Sequence, residues 1–314
     1  MTCLICGSGS TNAVWRGVAD YEYGAYRPVD YVRCSQCGAI RQSPLPDAGV
    51  IPSFYPPDYR NYLSRGSGSF FSALKHIQTQ RFARRLGRVV GSREAKVLEL
   101  GCGNGALLMA FKELGFRDLS GSDFDGTAQA SLMAAGIRFR RAGIEQEFPF
   151  PEQFDAIILV NVIEHFLDPV TVLRRLIEHL APGGKVILIT PNAAALDLNF
   201  FGRYWSGFHA PRHIWLFSGA SIVRLGRSLG FANVTVGAVA DPGQWGISVQ
   251  NGFQATGACH SRLSSGLAWY TVYVSVIAAP LAWLQNLWPG RSTSMAAVLV
   301  RGETKDGDGG LGEN

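Results

Sequence analysis

The sequence predicts an α/β fold, a doubly wound, mainly parallel sheet with a small N-terminal module and a C-terminal helical insertion. Three observations predict it. From Lys96 onward, apolar runs of strand length alternate with stretches of helical periodicity. The first of these runs ends in three alternating glycines. Ahead of the alternating region stand two Cys-x-x-Cys-Gly pairs.

In chain order, residues 1–45 carry the cysteine pairs among polar and aromatic residues, with too little apolar material for a core of their own. Residues 46–94 form a connector rich in Pro and Tyr, followed by a helix. In that helix Phe70, Phe71, Leu74, Ile77, Phe82 and Leu86 recur at spacings near three and four, and Arg81, Arg84, Arg85 and Arg88 fill the other faces. Residues 95–240 hold the strand runs 97–100, 119–122, 156–160, 186–190 and 234–239, with helical text at 107–114, 126–135, 170–179 and 218–229. Residues 241–302 form an apolar helical insertion that ends in a last strand at 295–300, and the polar tail 303–314 is expected to be disordered. Hydrophobic residues make up 47% and charged residues 17%, a balance that excludes wholesale disorder. The net charge of +5 is spread without a basic run, so a nucleic-acid partner is not expected.

Cys3, Cys6, Cys34 and Cys37 form two knuckles in which glycine follows the second cysteine. Four thiolates in a tetrahedron suit zinc, and a closed shell of this kind is structural rather than catalytic. Cys102 and Cys259 stand alone and are expected to pack in the core. The N-terminus shows no basic region followed by an apolar stretch, so a reducing cytoplasm is the expected compartment. Residues 266–288 carry no formal charge over about the 20 residues that a bilayer requires. Three readings follow: a membrane span, opposed by a final strand that would be left on the wrong side if it joins the same sheet, a helix lying on or docking on a membrane surface, or a buried or oligomer-forming helix, the last being preferred.

The bend Gly101-Cys102-Gly103-Asn104-Gly105 follows an apolar strand and opens onto a helix. Backbone without side chains lets a ligand approach there. Asp123, at the end of the second strand, is placed to accept hydrogen bonds from ribose hydroxyls. Both features fit a nicotinamide dinucleotide as well as another adenosine compound.

The combined text resembles the class I S-adenosylmethionine-dependent methyltransferases, which have a Rossmann-like fold. The motifs that carry the resemblance are Glu99-Leu100-Gly101-Cys102-Gly103-Asn104-Gly105, Gly121-Ser122-Asp123, Phe154-Asp155-Ala156-Ile157-Ile158, Asn161-Val162-Ile163-Glu164-His165 and Leu180-Ala181-Pro182-Gly183-Gly184. Within that superfamily the chain is similar to a bacterial group with an N-terminal four-cysteine zinc-binding module and a late segment like Phe208-His209-Ala210-Pro211-Arg212-His213. The resemblance implies that Gly101, Gly103 and Gly105 face the methionine portion of S-adenosylmethionine and that Asp123 holds its ribose. It implies that Glu99 orients the loop or the amino group and that Asn161 lies where cofactor and acceptor meet. The group often has an Asp near the adenine where this chain has Ile144. The polar contact there falls to Glu145, or the adenine is held by apolar packing and backbone amides.

A methyltransferase acting on a hydroxyl needs a base. His165, His209 and His213 are the candidates by location, and Arg212 is a candidate for a phosphate or carboxylate on the acceptor. Tyr204 and Trp205 could form an aromatic wall or simply pack in the core. The expected acceptor is a small molecule, sugar, or glycan- or lipid-linked intermediate, methylated at oxygen or carbon. Two other classes share parts of the pattern: a nicotinamide-dependent oxidoreductase, and a non-catalytic zinc and nucleic-acid adaptor.

Overall fold

The computed structural model describes residues 2–24, 26–55, 59, 69–257, 270–288 and 290–303. The N-terminal strands are β1 (Thr11–Val18), β2 (Val29–Cys34) and β3 (Ile40–Gln42), followed by helix α1 (Ser69–Val90). The alternating region then gives β4 (Lys96–Leu100), α2 (Ala106–Glu113), β5 (Asp118–Asp123), α3 (Gln129–Ala134), β6 (Arg138–Arg141), β7 (Phe154–Val160), α4 (Pro169–Glu178) and β8 (Leu180–Pro191). After it come α5 (Leu196–Phe201), β9 (Trp215–Leu216), α6 (Gly219–Ser228), β10 (Asn233–Val239), α7 (Pro242–Ala255), α8 (Thr271–Leu284) and β11 (Ser294–Val300).

The larger sheet has the order β10-β11-β8-β7-β4-β5-β6. Its neighbours are parallel from β8 to β6, and β11 runs antiparallel between β8 and β10. The fold is therefore the expected doubly wound, Rossmann-like one. The chain winds outward from β4 through β5 to β6, then returns to the other side of β4 as β7. Winding direction reverses between β4 and β7, and a crevice opens at the carboxyl ends of such a strand pair. Gly101, Asp123 and Asn161 all stand at those ends: after β4, at the end of β5, and after β7.

The central strands are buried on both faces, so they read as continuous apolar runs; Ala156, Ile157, Ile158 and Leu159 of β7 have no exposure. β6 reads Arg-Phe-Arg-Arg and lies at the sheet edge, largely exposed, which is why apolar patterning does not reveal it. Helix α3 is shorter than its sequence pattern because Asp125 engages the amide and hydroxyl of Thr127 in a turn that delays the helix. Asp168 accepts from the amides of Val170 and Thr171 and fixes the start of α4, with Pro169 in the first turn.

The smaller sheet has the order β1-β2-β3-β9, and its last strand comes from the loop after α5, far along the chain. Cys3, Ile5, Cys34 and Cys37 share one core cluster with Trp215, Phe217 and the interior of the larger sheet. The N-terminal segment solves its shortage of apolar material by joining that core. Cys102 is buried, as expected, in the cluster beneath α2. Cys259, residues 266–269 of the apolar segment and the tail 304–314 lie outside the described residues. Among the described residues, no helix is long and apolar enough to cross a membrane.

Candidate active site

The bend after β4 uses glycine for two physical reasons. Gly101, Gly103 and Gly105 all have positive φ, +68°, +53° and +75°. A Cβ on Gly101 would also stand 2.5 Å from Val162 Cγ2, and one on Gly105 would stand 2.7 Å from Leu132 Cδ2. The amides of Gly101 and Cys102 donate to the Ser122 carbonyl, and the Gly103 amide donates to Asp123 Oδ2 at 2.7 Å. The Asp125 amide donates to Asp123 Oδ1 at 2.9 Å. Asp123 therefore locks the bend before any ligand arrives.

Glu99, on β4, lies beneath the bend, buried, and its Oε2 has no hydrogen-bond partner among the described residues. Burial, and then the nearby charge of Asp123, holds its carboxyl well above the usual carboxylate range. Burial also raises Asp123, partly offset by the amides of Asp125 and Gly103. Two buried acids and one unsatisfied oxygen make this a place for a ligand that brings hydrogen-bond donors and positive charge.

Asn161 follows β7 with φ of +52°, an uncommon conformation for a side chain other than glycine, and is exposed at the crevice. Glu145 Oε1 accepts a hydrogen bond from the Leu167 amide at 2.8 Å, so one of its oxygens helps to fix the loop before α4. Ile144, at the position where the related group often has Asp, is buried in the main core.

The three histidines do converge, although they come from two separate loops. His165 and His213 rings lie 4.7 Å apart and edge-on, and His209 and His213 rings 5.1 Å apart. Their hydrogen bonds differentiate them. His209 Nε2 faces the Arg212 Nε–H at 2.9 Å and its Nδ1 faces Glu22 Oε1 at 2.8 Å, so both ring nitrogens are engaged. Arg212 cannot lose its proton, so His209 Nε2 is the acceptor and Nδ1–H the donor. His165 Nδ1 lies 3.1 Å from the Arg212 carbonyl and 3.2 Å from the Tyr55 hydroxyl. His213 Nδ1–H donates to the Gly207 carbonyl at 2.7 Å, which leaves Nε2 as the lone-pair nitrogen, 3.8 Å from Glu164 Oε1.

Burial dominates the protonation of this cluster. It lowers His165 to about 3 and His213 well below the usual 6.5, with neighbouring histidines adding to the effect. It pushes Glu164 up to about 8, against the partial relief of its own amide and the Thr190 hydroxyl, which donates to Glu164 Oε2 at 2.9 Å. Glu164 Oε1 has no hydrogen-bond partner among the described residues. Glu164, His165 and His213 each bring a possible ligand atom within 4.8 Å of the others. The neighbouring Arg212 charge, which depresses both histidines, opposes a cation there.

Arg212 is not free to meet an anionic acceptor, contrary to expectation. Its guanidinium makes a bidentate pair with Asp20, at 2.7 and 3.1 Å, and Nη1 also donates to the Phe54 carbonyl at 2.8 Å. Both side chains are almost wholly buried. Tyr23 and Tyr59 rings cover the guanidinium, with centroids 4.7 and 5.6 Å away. Tyr31 OH donates to the His213 carbonyl at 2.8 Å, and Gln42 donates to the carbonyls of Pro211 and His213. Asp20, Glu22, Tyr31 and Gln42 all belong to the N-terminal module. That module clamps the 209–213 loop, a role with no local sequence signal. Trp205, one candidate for an aromatic wall, is buried and donates to Asp197 Oδ2 at 2.8 Å.

Beyond the clamp, Cys3 and Cys37 Sγ atoms lie 3.7 Å apart and those of Cys6 and Cys34 3.5 Å apart, and all four lie within 4.8 Å of one another. A tetrahedron with metal–sulfur bonds of ~2.3 Å has sulfur–sulfur edges of ~3.8 Å, so the donor set fits zinc. The amides of Gly7 and Gly38 close the two turns onto the Cys3 and Cys34 carbonyls. Burial, set against the amides of Cys37 and Gln36 and the other thiols, leaves Cys34 lowered to about 7.

Residues 74–236 match the family model described as a methyltransferase domain, just over half of the chain. The chain belongs to this methyltransferase family. A ubiquinone biosynthesis O-methyltransferase of Pseudomonas fluorescens is 32% identical over 113 residues, 33% of this chain and 47% of the relative. A tRNA U34 carboxymethyltransferase of Nautilia profundicola is 32% identical over 102 residues, 30% of this chain and 33% of the relative. The chain thus spans about half, or less, of the length of these curated relatives. A crystal structure of an S-adenosylmethionine-dependent methyltransferase from Thermotoga maritima, described as a possible histamine N-methyltransferase, overlaps with a TM-score of 0.46 and 13% identity. The overlap covers 74% of this chain and 96% of that one.

The clamp generates a stability prediction. Asp20→Ala leaves the Arg212 charge buried without its carboxylate, and is expected to destabilise the protein by about 3–5 kcal/mol in urea unfolding. A change under about 1 kcal/mol would mean that the pair does not hold the module to the core.

Proposed function

We propose that the protein is an S-adenosylmethionine-dependent methyltransferase acting on a small molecule, a sugar or a lipid-linked intermediate. The observation that carries this reading is the buried Glu99 carboxyl, with its unpartnered Oε2, beneath a bend that Asp123 locks. A ligand carrying an ammonium and a sulfonium charge relieves two buried acids, of which Asp123 adds to the raised proton affinity of Glu99. The diphosphate of a nicotinamide dinucleotide would bring anions to the same place. Gly101, Gly103 and Gly105 would face the amino acid end of the cofactor, Glu99 its amino group, and Asp123 its ribose. One oxygen of Glu145 takes the Leu167 amide and the other would remain for the adenine, beside apolar packing and backbone amides. The family assignment supports the class of reaction. The choice of acceptor rests on the resemblance of the cysteine module to those of sugar methyltransferases.

The bound cofactor supplies an already activated methyl group. What remains for the protein is to hold the acceptor in line, exclude water and take a proton from a hydroxyl or carbon acid. His213 is suited to the last task. Its Nδ1–H is fixed by the Gly207 carbonyl, its Nε2 keeps a lone pair, and burial keeps it neutral. The Oε1 of the largely protonated Glu164 carboxyl, 3.8 Å from Nε2, would accept from the Nε2–H that forms. His165 completes the edge of this group, and His209 orients the loop through Glu22 and Arg212. The four cysteines would hold a structural zinc ion that fixes the module behind the clamp.

In calorimetric titration, S-adenosylhomocysteine binds and NAD does not; Glu99→Gln weakens that binding about tenfold. Binding of NAD alone would replace the reading with an oxidoreductase. In a screen of acceptors with labelled donor, His213→Asn lowers kcat about a hundredfold while S-adenosylhomocysteine affinity holds. Because the neutral imidazole is the active form and its pKa is depressed, activity persists as pH falls through 6.5 and is lost only as pH falls through the lower folded value. An acid limb at or above 6.5 would remove His213 as the base. Stripping metal from the cysteine site with a chelator should abolish turnover yet spare S-adenosylhomocysteine binding, since Asp123 and the Ser122 carbonyl hold the bend from within the larger sheet.

A further inference from the structure

Helices α7 and α8 pack with their polarity reversed from that of a helix pair in water. Their facing surfaces are small and polar. Gly246 lies so close to α8 that a Cβ there would meet Ser275 Oγ at 2.1 Å and the Thr271 carbonyl at 2.6 Å. Gln250 accepts from the Thr271 hydroxyl across the pair, and Ala278 and Ala282 are buried. The outward face of α8 instead carries Tyr273, Val276, Ile277, Leu281 and Leu284, at spacings of one, three and four. Ile277 is 77% exposed, and Leu287, on the 3-10 turn that follows, is 72% exposed. The expected buried helix is therefore a helix whose large apolar residues point out.

The face continues beyond α8. Trp245 donates to Gln285 and its ring packs against Phe201 and Phe200, and Phe200 is 76% exposed. Trp283 and Trp288 are exposed near its end. Among the described residues from Pro242 to Gly290 there is no Asp, Glu, Lys or Arg. Two exposed arginines flank it in the sequence: Arg203, two residues after Phe201, and Arg291, three residues after Trp288.

We propose that this face lies in the surface of a lipid bilayer that contains anionic lipid. Small residues between helices and large apolar residues outside are the arrangement that helices adopt in lipid, where apolar burial between helices gains nothing. Helix α8 has 14 residues, well short of the ~20 that a crossing requires, so it lies in the interface instead of spanning. Exposed tryptophan and tyrosine at the margins suit the headgroup layer, where an apolar ring and a polar tip are both satisfied. Arg203 and Arg291, exposed and next in sequence to this face, complement lipid phosphates. A second copy of the chain fits less well, because pairing two such faces would gather four arginines around a contact whose described residues offer no acid. The proposal is independent of the methyl-transfer reading, since none of its residues belongs to the candidate site.

The test is flotation of the full-length chain with phosphatidylcholine vesicles, and with vesicles that also contain phosphatidylglycerol. The protein is expected to float with both, and more with the second. Ile277→Glu combined with Leu281→Glu should reduce the floating fraction at least about tenfold, with melting temperature and S-adenosylhomocysteine binding unchanged. Leu287→Glu, off the helix, should reduce it in the same direction. Arg203→Gln with Arg291→Gln should remove only the preference for phosphatidylglycerol. A wild-type chain that stays at the bottom of the gradient with both vesicles overturns the proposal. So does light scattering that shows a dimer split by Ile277→Glu, with flotation absent.

Discussion

A guanidinium buried to the last few square ångströms has to be neutralised where it sits. For Arg212 that neutralisation comes from Asp20, 192 residues earlier in the chain. Removing either partner leaves an isolated charge in a medium that solvates it poorly. The loop between β1 and β2 is therefore obliged to fold over the loop that carries His209 and His213. With Glu22 on His209 and Tyr31 and Gln42 on the backbone of the same loop, the ion pair makes one unit of two segments. The candidate base is held in place by a module that holds no base itself.

The two halves of the site have different supports. The bend after β4 is stiffened from within the larger sheet, by Asp123 and the Ser122 carbonyl. The histidine cluster hangs between that sheet, through Glu164 and Thr190, and the module, through Asp20 and Glu22. The separation gives the cysteine site a function beyond local stapling. Four thiols in tetrahedral spacing sit at the far end of the sheet whose inner strands, β2 and β3, deliver Tyr31 and Gln42 to the loop. Disorder in the knuckles would reach the histidines through those two strands and leave the bend intact.

Burial sets the chemistry of the cluster more strongly than any pairwise charge. It keeps His165 and His213 neutral near pH 7 and Glu164 largely protonated, so a set of groups that would carry mixed charges in water is nearly uncharged here. A neutral imidazole with one nitrogen pinned to a carbonyl has only one way to act, through the other. The same reasoning separates His213 from His209, whose two nitrogens are taken by Arg212 and Glu22.

Sequence alone determined the parallel sheet, the glycine bend, Asp123 at the end of β5 and the four-cysteine set. Each is written in local signals: apolar runs buried on both faces, backbone that must adopt positive φ, and thiols at knuckle spacing. It missed β6, because an edge strand of arginines has no apolar pattern to read. It misjudged Arg212 and could not rank the three histidines, because their partners Asp20, Glu22 and the Gly207 carbonyl are brought to them only by the packed chain. It read α8 as apolar but not which way its large residues face, since uniform hydrophobicity carries no direction. Local chemistry is fixed by neighbours along the chain; burial, pairing and exposure exist only once distant segments are packed, and those were decided by the tertiary structure.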